Sequence, residues 1–476
     1  MKFNSVLATA ATLAPLGVSA GPTPKPSKMR EMMALKTKQW AEAREQGLFG
    51  GSALYSKVTS ATTCKNGVAN GYHCNNVDLH GFLSHEDLGS QEQAGNDVWG
   101  WTSPDGREFG LVGQADGTAF VEINKDDGSL RYIGRLNTQT TASSWRDVKV
   151  IGDHAYIGSE AAGHGVQIFD LTRLLQESRQ ATVNASAWRP RVFSTQNDLT
   201  ALFTGADALG STHNIVSHAA SNTIYAVGGE SGANARDTPC AAGMYIIDVS
   251  DPANPTSPGC IPQDGYVHDS QCVTYNGPSD KYNGRQVCFN YNEDTLTIMD
   301  VTDGQNPGII SRTPYDGAAY THQGWLTDDT MKYLLLDDEQ DEMRGTDPNA
   351  DGHTTTYIFD ISDLTNPVNT GYYKSPAKSI DHNQYVLNGL TYQANYGSGL
   401  RVVDISGVHE DPTGGNFEET GFFDCHPEDD DVNGEVKFLG TWSVYPYFKS
   451  GYILLNSIER GIFSLKYTGR EAKFNN

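Results

Sequence analysis

After residue 20 the chain lacks any apolar run approaching the roughly 20 residues that a membrane-spanning helix needs. Basic residues are scarce: 34 Lys and Arg stand against 58 Asp and Glu, a formal net charge of −24. That balance argues against nucleic acid and anionic membrane surfaces as partners and suits solubility in an acidic medium. Familiar catalytic phrases are missing too. There is no Gly-x-Ser-x-Gly elbow, no His-Glu-x-x-His helix and no phosphate loop. A Ser-His-Asp set cannot be assembled, because its members would be distant in the chain. Helical patterning is rare as well; outside the first 20 residues only 28–47 reads convincingly as a helix, ended by Gly47 to Ser52.

Cysteine is sparse, but seven suit an oxidising compartment. Cys64 with Cys74, Cys240 with Cys260, and Cys272 with Cys288 are the sensible pairs, each local or flanking neighbouring strands. Cys425 is left over, as a free buried thiol or the donor of an intermolecular bridge. The first 20 residues read as a secretory signal: Lys2, a mildly apolar Val6 to Val18, then Val18-Ser19-Ala20. A retained anchor is the alternative, disfavoured by the short, broken apolar run and the Pro-rich stretch that follows. The C-terminal Lys466-Tyr-Thr-Gly-Arg470 carries no apolar lipid-anchor signal. A secreted, extracellular, monomeric protein is expected, with Asn184-Ala-Ser186 its one open glycosylation sequon.

What the chain does have is repetition. Asp248-Val-Ser-Asp-Pro-Ala-Asn-Pro255, Asp300-Val-Thr-Asp-Gly-Gln-Asn-Pro307, Asp360-Ile-Ser-Asp-Leu-Thr-Asn-Pro367 and Asp404-Ile-Ser-Gly-Val-His-Glu-Asp-Pro412 are near-copies of one phrase. Phe120-Val-Glu-Ile123, Ile168-Phe-Asp-Leu-Thr172 and Ile462-Phe-Ser-Leu465 are weaker members. Each is a β-rich run, then turn residues, then in the good copies a proline that cannot continue a central strand. Aligned on this strand, every unit opens with an earlier strand headed by a polar or aromatic residue: Asn96, Trp145, His213, His268, His322, His382 and Trp442. A second strand follows, the acid-ended strand is third, and a fourth comes after the proline. Four strands in seven units describe an all-β, seven-bladed β-propeller. The last unit stops at its third strand, so 76–83 is expected to supply the missing strand against 461–467 and close the ring. The implied organisation is 1–20 signal, 21–60 Pro-rich segment and helix, 61–95 disulfide loop and closing strand, and 96–470 propeller.

These phrases resemble the LVIVD-repeat proteins, specifically the secreted choice-of-anchor B group, over roughly Cys64 to Tyr467. The most specific stretches are His268-Asp-Ser-Gln-Cys-Val-Thr-Tyr-Asn-Gly-Pro278, Asn292 to Asp300, Thr321-His-Gln-Gly-Trp-Leu326, Ile380-Asp-His-Asn-Gln-Tyr385 and Trp442 to Phe448. The resemblance implies a secreted or surface propeller of fungal type without a settled enzyme activity. No anchor follows the repeats, so release into the medium is the expectation.

First strands line a propeller's channel. Four of the 13 histidines, His213, His268, His322 and His382, head that strand in consecutive units. They either plug the ring with hydrogen bonds between blades, together with Asn96, Trp145 and Trp442, or line a ligand pocket. A metal held by all four looks strained in so wide a channel. Antiparallel order puts the second-strand exit loops at the same mouth, with Asp116, Glu160, Glu230, Glu293, Asp337, Asp338, Glu339 and Glu459. Carboxylate beside imidazole could supply acid–base pairs, although solvated loop acids are the plainer reading. Asp347-Pro-Asn349-Ala-Asp351-Gly352 fits the first half of a calcium loop, making calcium the one cofactor indicated; position 12 is Ile358, where an acid belongs. The tract Glu428-Asp-Asp-Asp431 reads as a solvated loop. The function expected is an extracellular binding propeller for a small molecule, glycan or protein; the alternative is a metal-assisted hydrolase or lyase at the same mouth.

Overall fold

In the computed structural model, which describes residues 28–205, 209–344, 348, 351–430 and 436–472, the acid that ends a third strand folds the turn after it. The backbone N–H groups of Ser250, Thr302, Ser362 and Ser406 donate to Oδ1 of Asp248, Asp300, Asp360 and Asp404 at 2.9, 3.1, 2.8 and 3.0 Å. The second aspartate repeats the device: Asp251, Asp303 and Asp363 accept from the residue two further on. Short acids mimic a backbone turn in this way, which is why the phrase recurs. Part of the chain's acidity is therefore turn chemistry.

Seven antiparallel sheets result. Blade 1 runs Gly95–Thr102, Glu108–Gln114, Gly117–Ile123 and Leu130–Asn137. Blade 2 is Arg146–Ile151, His154–Ser159, Val166–Asp170 and Ala201–Phe203; blade 3 is Asn214–His218, Thr223–Val227, Met244–Asp248 and Thr256–Ile261. Blade 4 comprises Asp269–Thr274, Gln286–Tyr291, Leu296–Asp300 and Gly308–Thr313; blade 5, Thr321–Leu326, Tyr333–Asp338, His353–Asp360 and Val368–Lys378. Blade 6 holds Asn383–Leu387, Leu390–Asn395, Gly399–Asp404 and Glu418–Asp424. Blade 7 has Thr441–Tyr445, Tyr452–Ser457 and Gly461–Tyr467, and its fourth strand is Val77–Ser84. Val77 pairs with Tyr467 and Ser84 with Gly461, so the ring closes as the truncated last unit predicts. First strands neighbour one another all the way round.

Apolar cores lie between blades. Phe109, Leu111 and Phe120 of blade 1 meet Val148, Ile157 and Phe169 of blade 2, and similar clusters fill the other seams. Polar ties pin the inner ring: the Val148 N–H donates to Asp97 Oδ2 (3.1 Å), the Ile215 N–H to Asp147 Oδ2 (2.7 Å) and the Gln384 N–H to Gln323 Oε1 (3.1 Å). The three disulfides are Cys64–Cys74, Cys240–Cys260 and Cys272–Cys288, and Cys425 is a buried free thiol. No helix among the described residues is long and apolar enough to cross a membrane.

Two regions depart from the sequence reading. Blade 2 does not pass directly from its third strand to its fourth. A helix, Thr172–Val183, intervenes, followed by Arg191–Phe193, which pairs in parallel with the outer strand of blade 1. This helix offsets the expectation of a single helix after the signal; its Leu174, Ser178 and Ala181 form only a three-residue buried stripe, too weak to read. The loop at 61–95 also does more than close a disulfide, since Val68–Ala69 and Tyr72–Asn75 extend blade 6 to six strands. The expected signal, residues 1–20, lies outside the described residues.

Candidate functional site

The helix Lys28–Glu45 buries Met29, Met32, Lys36, Trp40 and Ala43, a stripe at three- and four-residue spacing along one face. That face lies against the mouth of the channel. The Met29 N–H donates to Glu293 Oε1 at 3.0 Å, and Lys28 Nζ donates to the carbonyls of Glu293 and Ala319 at 3.0 Å each. The Trp40 indole N–H donates to the Phe438 carbonyl (2.7 Å), and its ring sits 5.4 Å from Trp145 and 6.1 Å from Trp442. The helix is a plug.

Beneath it, the predicted strand heads form the rim. His213, His268, His322 and His382 are buried and follow one another at ring separations of 4.4, 4.1 and 4.4 Å, with Trp442 4.9 Å beyond. Asn96 Nδ2 donates to the Ser144 carbonyl at 3.0 Å. The inter-blade bonds expected of a plugged ring are present: His268 Nδ1 lies 2.8 Å from the His322 carbonyl, and His382 Nδ1 2.6 Å from that of Trp442. A carbonyl only accepts, so Nδ1 carries the hydrogen and Nε2 keeps a free lone pair. Burial, reinforced by neighbouring imidazoles and by Lys36, holds His268, His322 and His382 well below the ordinary histidine range, so they are neutral.

The exit-loop acids do reach this mouth, and most have partners. Glu160 faces His213 Nδ1 at 2.8 Å, Asp116 pairs with Arg135 at 2.7 Å, and Arg236 joins Glu230 and Glu293 at 2.8 and 2.7 Å. Glu459 pairs with His426 at 2.8 Å. Asp337 takes a hydrogen bond from Gln384, and Asp338 takes four, from the Tyr315 hydroxyl and the Ala319, Tyr320 and Gln340 N–H groups. Glu339 is different. Its Oε1 accepts from Lys36 Nζ and from the Tyr396 hydroxyl, both at 2.5 Å, while Oε2 has no hydrogen-bond partner. His382 Nε2 and His322 Nε2 stand 3.5 Å from its two oxygens. Glu339, His322 and His382 thus converge on one point, whereas His213 and His268 stand aside. Lys36, only 2% exposed, caps the Oε1 side of this group and lies 5.1 to 5.7 Å from the ring centres of Phe438, Trp442 and Tyr396. Burial lowers its pKa against the opposing pull of Glu339.

Around Glu339 lie further buried acids. Asp337, Asp338, Asp341, Glu342 and Asp381 all have pKa values raised, by burial first; repulsion from neighbouring carboxylates adds to it for all but Asp338, whose hydrogen bonds oppose the rise. Asp381 is 0% exposed and neither of its oxygens has a hydrogen-bond partner. Deeper in the channel Lys149 bridges Asp97 and Asp147 at 3.2 and 2.7 Å. Below that, Trp99, Trp325, Tyr385, Tyr445 and Tyr447 pack edge-to-face and close the far side.

The plug leaves one part of the mouth open. A cavity of about 460 Å³ remains between the helix and blades 1 and 2, walled by Trp40, Trp145 and Phe49, with Glu160, Arg44, Thr37, Ser143 and Ser144 around it. The Trp145 indole N–H is buried and has no partner. Of the calcium candidates, Asp347 and Asn349 lie outside the described residues; the Asp351 carboxylate pairs with Lys374 Nζ at 3.1 Å and so already has a cation. Asn184 is exposed at the end of the Thr172–Val183 helix. Lys36 and Trp40 escaped the sequence reading of the site. Their signal was the stripe itself: a lysine set in register with Met29, Met32 and Trp40 has to bury its charge against an acid.

Among curated proteins nothing matches the chain. Similar solved structures include U3-55K (8% identity, 79% of this chain, 96% of that one, TM-score 0.47). Another is a putative 6-phosphogluconolactonase from Bacteroides uniformis ATCC 8492 (15% identity, 77% and 99%, TM-score 0.45). A third is a functionally unknown protein from Desulfotomaculum acetoxidans DSM 771 (9% identity, 72% and 95%, TM-score 0.42). The LVIVD repeat model matches residues 240–259, the span holding the third strand of blade 3 and the phrase that opens at Asp248. The chain therefore carries an LVIVD repeat within a seven-bladed propeller.

Proposed function

We propose that this is a secreted, extracellular binding propeller that takes a saccharide in the cavity between the N-terminal helix and blades 1 and 2. The paired aromatic side chains of Trp40 and Trp145 beside an open cavity of about 460 Å³ carry the reading. The chemistry around it fits a glycan: flat aromatic faces from Trp40 and Trp145 for the C–H face of a sugar, and hydroxyl and charged groups for its rim. Three disulfides favour an oxidising setting, and an exposed Asn184 is compatible with a glycan chain there. A metal-assisted hydrolase or lyase would have to work at His322, Glu339 and His382, which lie under the docked helix on blades 5 and 6 and away from this cavity, so binding is the favoured reading. A glycan array followed by tryptophan-fluorescence titration tests it. A ligand whose affinity falls about tenfold or more in Trp145→Ala is expected. No glycan bound, or binding indifferent to Trp145→Ala, overturns it.

A further inference from the structure

We propose that His322, Glu339 and His382 form a binding site for a divalent transition-metal ion, zinc or its like, for which the Lys36 ammonium is the built-in competitor. The two Nε2–carboxylate separations are 3.5 Å. Ligands at about 2.0–2.1 Å around a tetrahedral ion stand about 3.3 Å apart, so each ring already stands near ligand separation from its own oxygen of Glu339. All three ligand atoms lie within 4.8 Å of one another. The donor chemistry agrees: two neutral imidazoles and one carboxylate suit a first-row divalent ion and leave a coordination position open. His382 is already oriented from behind, its Nδ1 hydrogen held by the Trp442 carbonyl at 2.6 Å, as metal-bound histidines usually are.

A second observation points to a missing cation. Glu339 Oε2 is buried with no hydrogen-bond partner, and His322, whose Nε2 stands 3.5 Å from it, has an unpartnered Nδ1. A buried carboxylate oxygen without a donor is costly, and an ion between it and Nε2 would satisfy it. Lys36 neutralises the Oε1 side only. An ion in this seat would touch both oxygens' surroundings and both rings, and Lys36 would leave with its proton as the helix lifts. Metal and docked helix therefore exclude each other. This site lies on blades 5 and 6, apart from the saccharide cavity on blades 1 and 2, so either proposal can fail alone.

Zinc titration of the full chain by calorimetry is the test, with wild type, Lys36→Met and Lys36→Met/His382→Ala. One site per chain at least tenfold tighter in Lys36→Met, and lost in the double variant, is the expected result. Equal affinity in Lys36→Met and wild type, or a site that survives His382→Ala, overturns the proposal. Should Lys36→Met fail to fold, limited proteolysis of the wild-type protein decides. Zinc should speed cleavage within 28–50 in wild type and leave His382→Ala unchanged; zinc without effect on wild type overturns the proposal.

Discussion

Glu339 in blade 5 and Glu459 in blade 7 follow a second strand by one and two residues, and both are buried. The origin of their partners separates them. Glu459 is held wholly within the propeller, by His426 at 2.8 Å, the Gly440 N–H at 3.0 Å and Arg460 at 3.7 Å. Glu339 has the Tyr396 hydroxyl inside the ring, but the lysine or arginine it pairs with, Lys36, comes from a separate helix laid across the mouth. The blade 7 acid is a finished tie between blades. The blade 5 acid is a socket for a cation brought from elsewhere. One repeated frame thus yields a structural acid and an exchangeable one, and the source of the counter-charge distinguishes them.

Removing that source gives the largest expected effect. Lys36→Met leaves Glu339 buried against two neutral imidazoles, and breaking such a pair typically costs about 3–5 kcal/mol. The loss should appear as undocking of residues 28–45, with the blades retained. Hydrogen exchange of that helix is the measurement, and protection equal to wild type would erase the distinction between the two acids.

Acid pH sharpens the contrast next. Burial raises the pKa of Asp337, Asp341, Glu342 and Asp381, so each binds its proton more tightly in the fold than in the open chain. The native state then carries more protons from about pH 4 upward, and stability falls as pH rises through that range. A carboxyl made tenfold weaker by folding costs about 1.4 kcal/mol once it ionises. The buried neutral His268, His322 and His382 pull the other way below about pH 6.5, so the acids are read by difference: Asp381→Asn should gain melting temperature relative to wild type on going from pH 5 to pH 8. A difference between Asp381→Asn and wild type that stays constant from pH 5 to pH 8 would contradict this.

Much of the frame could be read from the chain alone. The phrase at Asp248, Asp300, Asp360 and Asp404 repeats because its turn chemistry is local, and local chemistry leaves a mark at a fixed spacing. Ring closure was legible because the last unit lacked a strand and 76–83 had the right alternation. The strand heads and exit acids followed from antiparallel order. The plug was not legible in the same way. Which surface the stripe of Met29, Lys36 and Trp40 covers depends on contacts 250 to 400 positions away, such as Trp40 with Phe438, and no spacing encodes them. The insertion after Asp170 broke the four-strand rhythm for a like reason, since Arg191–Phe193 pairs with a neighbouring blade.

The smallest effect concerns the finished tie itself. Burial alone would lower the pKa of His426, but its contact with Glu459 more than offsets that, and the net shift is upward. For Glu459 burial works the other way, and His426 and Arg460 bring the net shift below the ordinary range. The histidine's contribution is therefore fully present below about pH 6.5 and fades as pH rises through its raised value. The glutamate's is present above about pH 4.5 and fades as pH falls through its lowered value. Between those limits both are charged, and the pair contributes about 1 kcal/mol more than a neutral substitute. The melting-temperature gap between wild type and His426→Gln should be widest near pH 5.5 and narrow toward pH 8. Lys36→Met should show no such narrowing, because no imidazole near Glu339 is charged in that range. A gap for His426→Gln that stays constant from pH 5.5 to 8 would mean that Glu459 is held by Arg460 and Gly440 alone, and that the histidine is only a packed ring.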